Sequence, residues 1–361
     1  MSSNKIINVG IIGIGTIGKR HLMAIDQIDE INLMGVVDVS QSAQEFCLNR
    51  NIPIFKNLQD LLESNKIDGV IISTPTIYHY ENAISALKLG LDVLIEKPIS
   101  ATIDEAQKIS KTAIEFKRKV LVGHQRRFYP LVLKAKEIIK ENELGNIIGL
   151  SGVWALRKDK DYFLPDWRKK ITAGPVITNL IHDIDYLRFI FGDIEEVSAF
   201  SSNIINNFEK EDVITANLKF KSGMLGNFLI TDCGTSPWSW ETATGENIHL
   251  PTLVENNLRV IGTEGSLEFP NLKIWKYIKN GSDWKNEIYS QDLSFSNIDP
   301  YVAQMNHFKD IINRKIEPIT GSEDAELTLK VALSILESAL NNKSIKIQSN
   351  LISYKSGVKD V

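Results

Sequence analysis

The feature that most constrains the fold is a glycine-rich turn between two patterned segments near the N-terminus. Gly13, Gly15 and Gly18 form the pattern GxGxxG at the end of KIINVGII, an apolar run typical of a buried strand. The segment from Gly18 to Gln27 has the periodicity of a helix. In a strand–turn–helix unit, such glycines allow a tight turn and a close approach of the backbone to a pyrophosphate, which the helix N-terminus binds. The pattern predicts a dinucleotide site, and a glycine-rich turn without a ligand is the alternative.

Apolar runs and helical patterns alternate through the first 123 residues. The predicted strands after the first are INLMGVVDV, DGVIIST, DVLIEKP and KVLVGH. The predicted helices include YENAISALKLG, which Gly90 ends, and TIDEAQKISKTAIEFK. Continuous apolar strands separated by helices are typical of a parallel sheet covered on both faces. We therefore predict a doubly wound Rossmann domain over residues 1–123.

The pattern changes after residue 123, and the 361 residues of the chain are enough for a second core. Six strand-like runs follow, separated by Gly, Asn and Asp turns: NIIGLSGVWAL, EEVSAFSSNI, VITANLKF, MLGNFLITD, LRVIGTEGSLEF and LKIWKYI. Strands in such succession predict a largely antiparallel sheet with a few helices on one face. We predict a second α/β domain over residues 124–361. The segment 231–251 is predicted to be a long loop.

Charge and cysteine content exclude several classes of function. The net charge is −4 and the isoelectric point is near 6.0, so no basic surface for nucleic acid or anionic membrane is expected. No apolar run approaches the roughly 20 residues that span a bilayer, and the N-terminus lacks a signal-peptide core. Cys47 and Cys233 lie far apart with no CxxC pair, which argues against disulfides and a zinc site. We expect a cytoplasmic protein without a bound metal.

Polar residues at the predicted strand ends indicate which dinucleotide binds. Asp38 ends the second strand twenty residues after Gly18, where a carboxylate accepts hydrogen bonds from a ribose hydroxyl and repels a 2′-phosphate. No arginine follows closely, so NAD is favoured over NADP. The polar turn STPTIYH follows the third main strand at the same edge, although Ser73 and Thr74 are also ordinary loop residues. The predicted cofactor-binding residues are Gly13, Gly15, Thr16, Ile17, Gly18, Asp38, Ser73, Thr74, Pro75, His79, Glu96, Lys97 and Gln125.

A lysine at the end of another predicted strand is a catalytic candidate. Glu96, Lys97 and Pro98 form EKP at the carboxyl edge of the sheet, near the expected nicotinamide. The Lys97 ammonium can donate a hydrogen bond to a substrate hydroxyl, favour the developing alkoxide and help relay the proton. The alternative is a surface lysine that happens to precede a proline.

The combination of GIGTIG, STPTIYH, EKP and AGPVITNLIHDID resembles the Gfo/Idh/MocA family of dehydrogenases over nearly the whole chain. The resemblance implies a Rossmann domain joined to an α/β domain with an open, mainly antiparallel sheet. It also implies NAD(P)-dependent oxidation or reduction of sugars, inositols and related polyols, in homodimers or homotetramers formed through that sheet. By similarity, Lys97 takes the position of the family lysine and His182 that of the catalytic histidine. Four residues before that histidine, where the family often has an aspartate, this chain has Thr178.

Helix geometry tests His182 independently of the resemblance. Pro175 suits a first helical position and Gly192 a C-terminal stop, so a helix is predicted from about 175 to 191. The apolar face of this helix comprises Val176, Ile177, Leu180, Ile181, Ile184, Leu187 and Phe191. The nearly opposite face comprises Thr178, His182, Asp185 and Phe189, with Asn179 and Tyr186 beside it. His182 is therefore predicted to lie off the core face as an acid/base group, with Asp185 holding its tautomer. The alternative is a solvent-facing histidine.

Further substrate contacts are predicted at Thr178, Asn179, Asp185, Arg127 and Trp154. In HQRRF, Gln125 is placed near the nicotinamide and Arg127 near a substrate hydroxyl, with a salt bridge as an equal alternative for the arginine. Trp154 is a candidate pocket wall, although core packing is commoner for tryptophan. In the same way, Trp238 and Trp240 of SPWSWE suit either a sugar ring or a subunit interface.

Together these features predict an NAD-dependent dehydrogenase of a sugar, cyclitol or related polyol. In the oxidative direction His182 removes the hydroxyl proton and Lys97 assists. Two other classes remain open: a non-catalytic dinucleotide-binding regulator on the same scaffold, and an NAD-assisted glycosidase. The presence of both Lys97 and His182 argues against the regulator, and Thr178 argues slightly for it.

Overall fold

The computed structural model describes residues 6–247, 249–279, 281, 283–295 and 298–347. The strands of the first sheet are β1 (Ile7–Ile12), β2 (Ile31–Val37), β3 (Ile54–Phe55), β4 (Gly69–Ile72), β5 (Asp92–Glu96) and β6 (Val120–Gly123). The helices between them are α1 (Thr16–Ile25), α2 (Gln41–Asn49), α3 (Leu58–Ser64), α4 (His79–Lys88) and α5 (Ile103–Glu115). All strands are parallel in the order β3-β2-β1-β4-β5-β6, which is that of dinucleotide-binding doubly wound domains. The predicted Rossmann fold is confirmed; residue 5 of its predicted first strand lies outside the described residues.

Local sequence explains where these helices begin and end. Thr102 and Glu105 form a capping box at the start of α5, in which each side chain accepts a hydrogen bond from the other's backbone amide (3.2 and 3.1 Å). Gly90 follows α4 with φ of +84°, the left-handed conformation that was predicted to stop this helix. The strands β4, β5 and β6 are buried along their whole length, as expected for strands covered on both faces.

A second sheet of nine strands forms the centre of the rest of the chain. Its strands are β7 (Ile147–Ala155), β8 (Ile194–Ser202), β9 (Val213–Phe220), β10 (Leu225–Thr231), β11 (Leu258–Gly262), β12 (Ser266–Phe269), β13 (Lys273–Tyr277), β14 (Ile288–Asp292) and β15 (Ile345–Lys346). The order is β14-β13-β12-β11-β7-β10-β9-β8-β15, and only β7 and β10 pair in parallel. The mainly antiparallel sheet is confirmed. The short strands β14 and β15 were not predicted.

Helices cover one face of the second sheet. The helices of this part of the chain are α6 (Pro130–Lys140), α7 (Ile181–Phe191), α8 (Trp240–Thr244), α9 (Pro300–Ile312) and α10 (Ser322–Asn341). Alternate residues of β9 and β10 are buried, and the others face outward. On the covered face α10 lies against β8, where the Ser338 hydroxyl accepts a hydrogen bond from the Ala199 amide (2.9 Å). The opposite face is the open face of this sheet, which no helix of the described residues covers.

The helix α9 returns to the first sheet, although it follows the second sheet in sequence. Tyr301, Met305, Phe308 and Ile311 are buried in one apolar cluster with β1 and α1. A Cβ atom added at Gly69 of β4 would lie 3.1 Å from the Phe308 ring, so α9 packs directly on the strand. The first sheet is therefore completed by residues from beyond position 123, and the sequence patterns had not predicted this helix.

The predicted loop 231–251 contains the short helix α8. Ser239 begins α8 by accepting a hydrogen bond from the Thr242 amide (3.2 Å), and Gly245, with φ of +70°, ends it. Residue 248 of this segment lies outside the described residues. Within the described ranges, none of the helices combines the length and the apolar character needed to cross a bilayer.

Candidate active site

The glycine-rich turn has the shape that a bound pyrophosphate requires. Gly13 adopts φ of +89°, and a Cβ atom at Gly18 would lie 2.2 Å from the Gly13 carbonyl oxygen. A Cβ atom at Gly15 would meet nothing within 4 Å, so the outer side of the turn is open. The helix α1 begins at the next residue, Thr16, without a side-chain cap. Its first amides are therefore free to bind an anion, and the residues present fit a dinucleotide.

Asp38 lies beside this turn as a fixed carboxylate. Its oxygens accept hydrogen bonds from the amides of Ile14 and Ser40, both at 2.9 Å. Burial opposes ionisation of Asp38, but these backbone hydrogen bonds outweigh burial and lower its pKa. A carboxylate held at the end of β2 suits a ribose hydroxyl donor and repels a phosphate at the same place.

The turn after β4 supports the glycine-rich turn. The Ser73 hydroxyl donates to the Gly13 carbonyl (2.7 Å), which ties the two turns together. The buried Thr74 hydroxyl has no partner among the described residues and is available to a ligand. The ring nitrogens of buried His79 lie 2.8 Å from the carbonyl oxygens of Thr74 and Pro98. His79 therefore links two loops, which favours a supporting role over direct contact with the cofactor.

Glu96 is held in place by a histidine that the sequence patterns did not indicate. Its Oε1 lies 2.7 Å from Nε2 of His21 in α1, and its Oε2 accepts a hydrogen bond from the Lys97 amide (3.1 Å). Burial would raise the pKa of Glu96, but the contact with His21 outweighs burial and lowers it. The only sequence signal for His21 was its place on the buried side of a helix. Glu96 thus fixes the backbone from which Lys97 extends.

Lys97 reaches across from the first sheet to the helical segment that carries His182. Its Nζ donates a hydrogen bond to the Thr178 main-chain carbonyl (3.0 Å). Burial of the ammonium lowers the pKa of Lys97 to about 8, although the Glu96 carboxylate opposes this shift. The Thr178 hydroxyl lies 2.9 Å from Oδ1 of Asn179 and 3.0 Å from the Gly174 carbonyl. The structure therefore brings together Lys97, Thr178 and Asn179. The Lys97 ammonium binds the neutral main-chain carbonyl of Thr178, whereas an aspartate at this position would have offered a carboxylate.

The helical segment before His182 differs from the prediction. Residues Val176–Leu180 form a π-helical turn, and the α-helix α7 begins only at Ile181. A π turn holds one extra residue and so rotates the side chains that follow it. Gly192, with φ of +89°, ends the helix as predicted. The predicted polar face is not open to solvent, because α7 is enclosed by α6, α10 and the site.

His182 is buried beside Lys97 and is only 7% exposed, so the solvent-facing alternative is wrong. Burial, and then the positive charges of Lys97 and Arg126, hold its pKa well below the ordinary value. The imidazole is therefore neutral at neutral pH and able to accept a proton. Its Nδ1 has no hydrogen-bond partner among the described residues. The imidazole therefore donates no hydrogen bond from Nδ1 to Asp185, and the prediction that Asp185 holds its tautomer is wrong.

Asp185 is bound by Arg127 instead. The Arg127 Nε and Nη2 donate to its two oxygens (2.8 and 2.7 Å), and Nη1 donates to Asp324 (2.5 Å) and to the Ile319 carbonyl (3.0 Å). Burial disfavours both charges. The pairing outweighs burial, so that the pKa of Arg127 is raised and the pKa of Asp185 is lowered. For Arg127 the salt-bridge alternative is confirmed. These contacts join the segment after β6 to α7 and to the start of α10, and they leave few donors or acceptors on Asp185 and Arg127 for a substrate.

The loop carrying α8 contributes two carboxylates that the sequence patterns had not indicated. Arg126, fully buried, donates to Glu241 (3.0 Å) and Glu246 (3.2 Å). Gln125 donates to Glu246 (3.2 Å), and the Trp154 indole donates to Glu241 (2.8 Å). Trp154 has no exposed surface, so packing dominates its role. Glu241 lies two residues after the capping Ser239, and an acidic residue in the first turn of a helix is too common a pattern to indicate a site.

The two tryptophans of SPWSWE lie in different environments. Trp240 is fully buried against the rings of Tyr186 and Phe269, at 5.4 and 5.8 Å between centroids, so it presents no face to a sugar. Trp238 is 45% exposed, and its carbonyl accepts a hydrogen bond from the Ala155 amide at the end of β7 (2.9 Å).

One group of potential metal ligands in the described part of the chain contains a lysine. Oxygens of Asp212 and Asp232 and the sulfur of Cys233 lie close together. The Lys210 ammonium donates to both oxygens of Asp232 (3.0 and 2.8 Å) and lies 4.0 Å from Asp212. The ammonium therefore supplies the positive charge that this cluster requires.

The two sheets and the paired lysine and histidine define a dinucleotide-dependent oxidoreductase. Residues 7–124 match the family model described as an oxidoreductase family with an NAD-binding Rossmann fold, and residues 132–268 match the GFO/IDH/MocA C-terminal domain. The chain belongs to the Gfo/Idh/MocA family, as its motifs predicted. The predicted cofactor, NAD, is confirmed by the family's Rossmann domain and by an NAD-dependent relative.

Two curated relatives and one solved structure illustrate the similarity. Glucose-6-phosphate 3-dehydrogenase of Bacillus subtilis (strain 168) is 29% identical over 250 residues, covering 67% of this chain and 71% of that protein. The scyllo-inositol 2-dehydrogenase (NAD(+)) of the same organism is 26% identical over 350 residues, covering 94% and 96%. The structure of an NAD-binding protein from Listeria innocua has a TM-score of 0.78 at 24% identity, covering 95% and 97%, and shows the same fold.

Proposed function

We propose that this chain oxidises a hydroxyl group of a sugar, cyclitol or related polyol, or reduces the corresponding ketone, with NAD as the cofactor. The observation that carries the proposal is the 3.0 Å hydrogen bond from Lys97 to the turn that leads into His182. This bond links Lys97, which follows β5, to the segment that continues into His182 of α7. Lys97 lies at the carboxyl edge of the first sheet, where doubly wound domains bind ligands. Relatives named for sugar and inositol dehydrogenation support the substrate class.

The side chains divide the reaction between them. Neutral His182 accepts the proton of the substrate hydroxyl. The Lys97 ammonium donates a hydrogen bond to the same oxygen and stabilises the negative charge that develops there. The glycine-rich turn and Asp38 would hold NAD, which would supply the acceptor for the hydrogen that leaves the substrate carbon with its electron pair. Thr178 positions Lys97 through its carbonyl, so an aspartate is not needed to orient the ammonium.

The test is a screen for NADH formation with inositols, hexoses and deoxy sugars, run once with NAD and once with NADP. We expect turnover with NAD, and a loss of at least about a hundredfold in His182→Ala because a proton acceptor is removed. The exposed histidine variant His249→Ala serves as the matched control and retains turnover. Calorimetric titration checks that His182→Ala still binds NAD.

Other outcomes of this screen identify the alternatives. Near-normal turnover in His182→Ala would remove the residue from the mechanism. NAD binding without turnover on any polyol would favour the regulator. Release of free sugar from an aryl glycoside without net NADH would favour the glycosidase.

We further propose that copies of the chain associate through the open face of the second sheet, as a dimer or tetramer. Phe200, Leu225, Leu229 and Ile261 project from this face and are 40–67% exposed. Strand register places Leu225 and Ile261 on either side of Gly149. Exposed apolar patches of this kind mark interaction surfaces.

Light scattering after size exclusion tests this assembly. We expect the wild-type chain to elute as a dimer or tetramer. The double variant Leu225→Glu/Leu229→Glu is expected to be a monomer that still unfolds cooperatively, because charges are costly to bury in an apolar interface. Leu48→Glu, which changes an exposed leucine of α2, leaves the assembly unchanged. A monomeric wild type at all concentrations would contradict the proposal.

The cellular location is also a proposal. Cys47 and Cys233 are both unpaired, as is usual in a reducing compartment. We propose that the protein works in the cytoplasm.

A further inference from the structure

Two cations of the segment that follows β7 contact the same aromatic ring. The Nζ of Lys158 is 4.6 Å from the centre of the Tyr162 ring, and the Cζ of Arg168 is 4.0 Å from the centre of the same ring. Neither cation forms an ion pair with a carboxylate of the described residues. The Arg168 Nη1 donates to the Tyr162 carbonyl (2.9 Å), while its buried Nε has no partner there. Two positive charges therefore share one aromatic ring without a counter-charge in contact.

This pair of cations is continuous with the proposed active site. Lys158 also lies 5.6 Å from the centre of the Trp154 ring, and the Trp154 indole donates to Glu241. Glu241 binds Arg126, whose Nη1 lies 3.5 Å from a carboxylate oxygen of Asp183, the residue after His182. Contacts through Trp154 and Glu241 thus link Lys158 to Arg126 and to the helix that carries His182.

The environment of Lys158 makes an unoccupied pair unfavourable. Burial lowers the pKa of Lys158, the carboxylates of Glu241 and Asp232 oppose this shift, and the positive charge of Arg168 adds to it. Both cations remain half-buried without a direct partner. An anion in contact with both side chains would receive charge-assisted hydrogen bonds from the Lys158 ammonium and from the planar Arg168 guanidinium.

We propose that Lys158 and Arg168 bind an anionic substituent of the substrate, and that this substituent is a phosphate monoester on the sugar or cyclitol. A phosphate monoester carries about −1.5 to −2 charge at neutral pH, which matches two cations, whereas a carboxylate matches one. A neutral sugar would leave both cations without partners. The proposal rests on the proposed dehydrogenase function, because it assigns the substrate of the same site.

The experiment compares matched compounds with NAD-saturated protein, so that the pyrophosphate site is already filled. Each hexose or inositol phosphate is paired with its unphosphorylated parent and, for hexoses, with the uronic acid. Turnover is followed by NADH formation, and binding is followed separately by calorimetry. We expect at least one phosphate ester to exceed its parent about a hundredfold in kcat/KM, because two charge-assisted contacts are gained.

Variants locate the effect. Lys158→Met and Arg168→Met each raise KM and Kd for the phosphate ester about tenfold or more, with little change in kcat and none for the neutral parent. Lys160→Met, which removes an exposed lysine of the same segment, is the matched control and changes neither constant. A merely structural role would instead affect parent and ester alike.

The outcomes separate this proposal from the proposed function. Turnover of neutral sugars with no preference for any phosphate ester would overturn the phosphate subsite and leave the dehydrogenase intact. Phosphate-dependent binding that both variants weaken, without turnover, would retain the subsite and overturn the dehydrogenase. A preference for the uronic acid over the phosphate ester would overturn the assignment of a phosphate.

Discussion

Replacing Lys97 with methionine lowers turnover by about a hundredfold to ten-thousandfold, which is the usual contribution of a general acid–base group. The expected cause is loss of the ammonium that stabilises the developing alkoxide. NAD affinity, measured by calorimetry, stays close to that of the wild type, because the glycine-rich turn and Asp38 lie elsewhere on the sheet edge. Lys88→Met, at an exposed position of α4, is the matched control and keeps full turnover.

The pH profile distinguishes catalysis from misfolding. The pKa of Lys97 is lowered to about 8, so the ammonium form is lost as pH rises through that value, and kcat/KM in the oxidative direction falls there. This alkaline limb is absent in Lys97→Met. His182 has a pKa well below its ordinary value and stays neutral throughout. A profile that keeps the same limb in the variant would assign it to another group.

Stability gives a second check on Lys97→Met. A lysine whose pKa is lowered on folding makes the folded state less stable below about pH 8, and this cost disappears as pH rises towards the ordinary value of 10.5. An uncharged side chain of similar length therefore does not lower the free energy of unfolding at neutral pH. A large loss of stability would mean that the loss of turnover reflects unfolding.

Replacing Lys210 with methionine lowers the free energy of unfolding by about 3–5 kcal/mol, the usual cost of leaving one partner of a buried ion pair. Lys210, Asp212 and Asp232 are all less than 4% exposed, and Lys210 is the cation that binds Asp232. Asp212 keeps hydrogen bonds from Asn206, whereas Asp232 loses its ammonium. Urea denaturation followed by circular dichroism measures the change.

Two controls accompany the Lys210 variant. Lys219→Met breaks an exposed pair with Glu195 and costs less than about 1 kcal/mol. In Lys210→Met/Asp232→Asn the uncompensated charge is removed, and much of the stability returns. A deficit equal to that of Lys219→Met would show that the buried pair contributes little.

The predictable part of the structure was local. The glycine turn, the alternating strands and helices, and Gly90 and Gly192 as helix ends all depend on near neighbours in sequence, where turn chemistry and periodicity act. The helix α9 was not predicted because its apolar face matches a sheet almost 300 residues earlier. The strands β14 and β15 are short and nearly all exposed or half-buried, so they carry little periodic signal.

The site was predicted in part for the same reason. The motifs marked Lys97 and His182, and the structure brings their segments into contact. The pairing of Arg127 with Asp185 could not be deduced from the sequence. A helical wheel shows which way a side chain points from its helix, but not which residue of another segment it meets. A π turn at Val176–Leu180 also rotates the wheel, and no residue type in VITNL requires such a turn. The positions of the Glu241 and Glu246 carboxylates beside Arg126 depend on the path of the loop that carries α8, which no local pattern determines.

The return of α9 to the first sheet means that the nucleotide-binding unit is continuous in space but not along the chain. A fragment ending at residue 123 would leave Ile7, Val9 and Ile11 without the side chains of Tyr301, Met305 and Phe308 that share their core. Such a fragment would bury less apolar surface than the same residues bury in the intact chain, and it would be less stable. The nucleotide site is therefore completed only after nearly the whole chain has been synthesised.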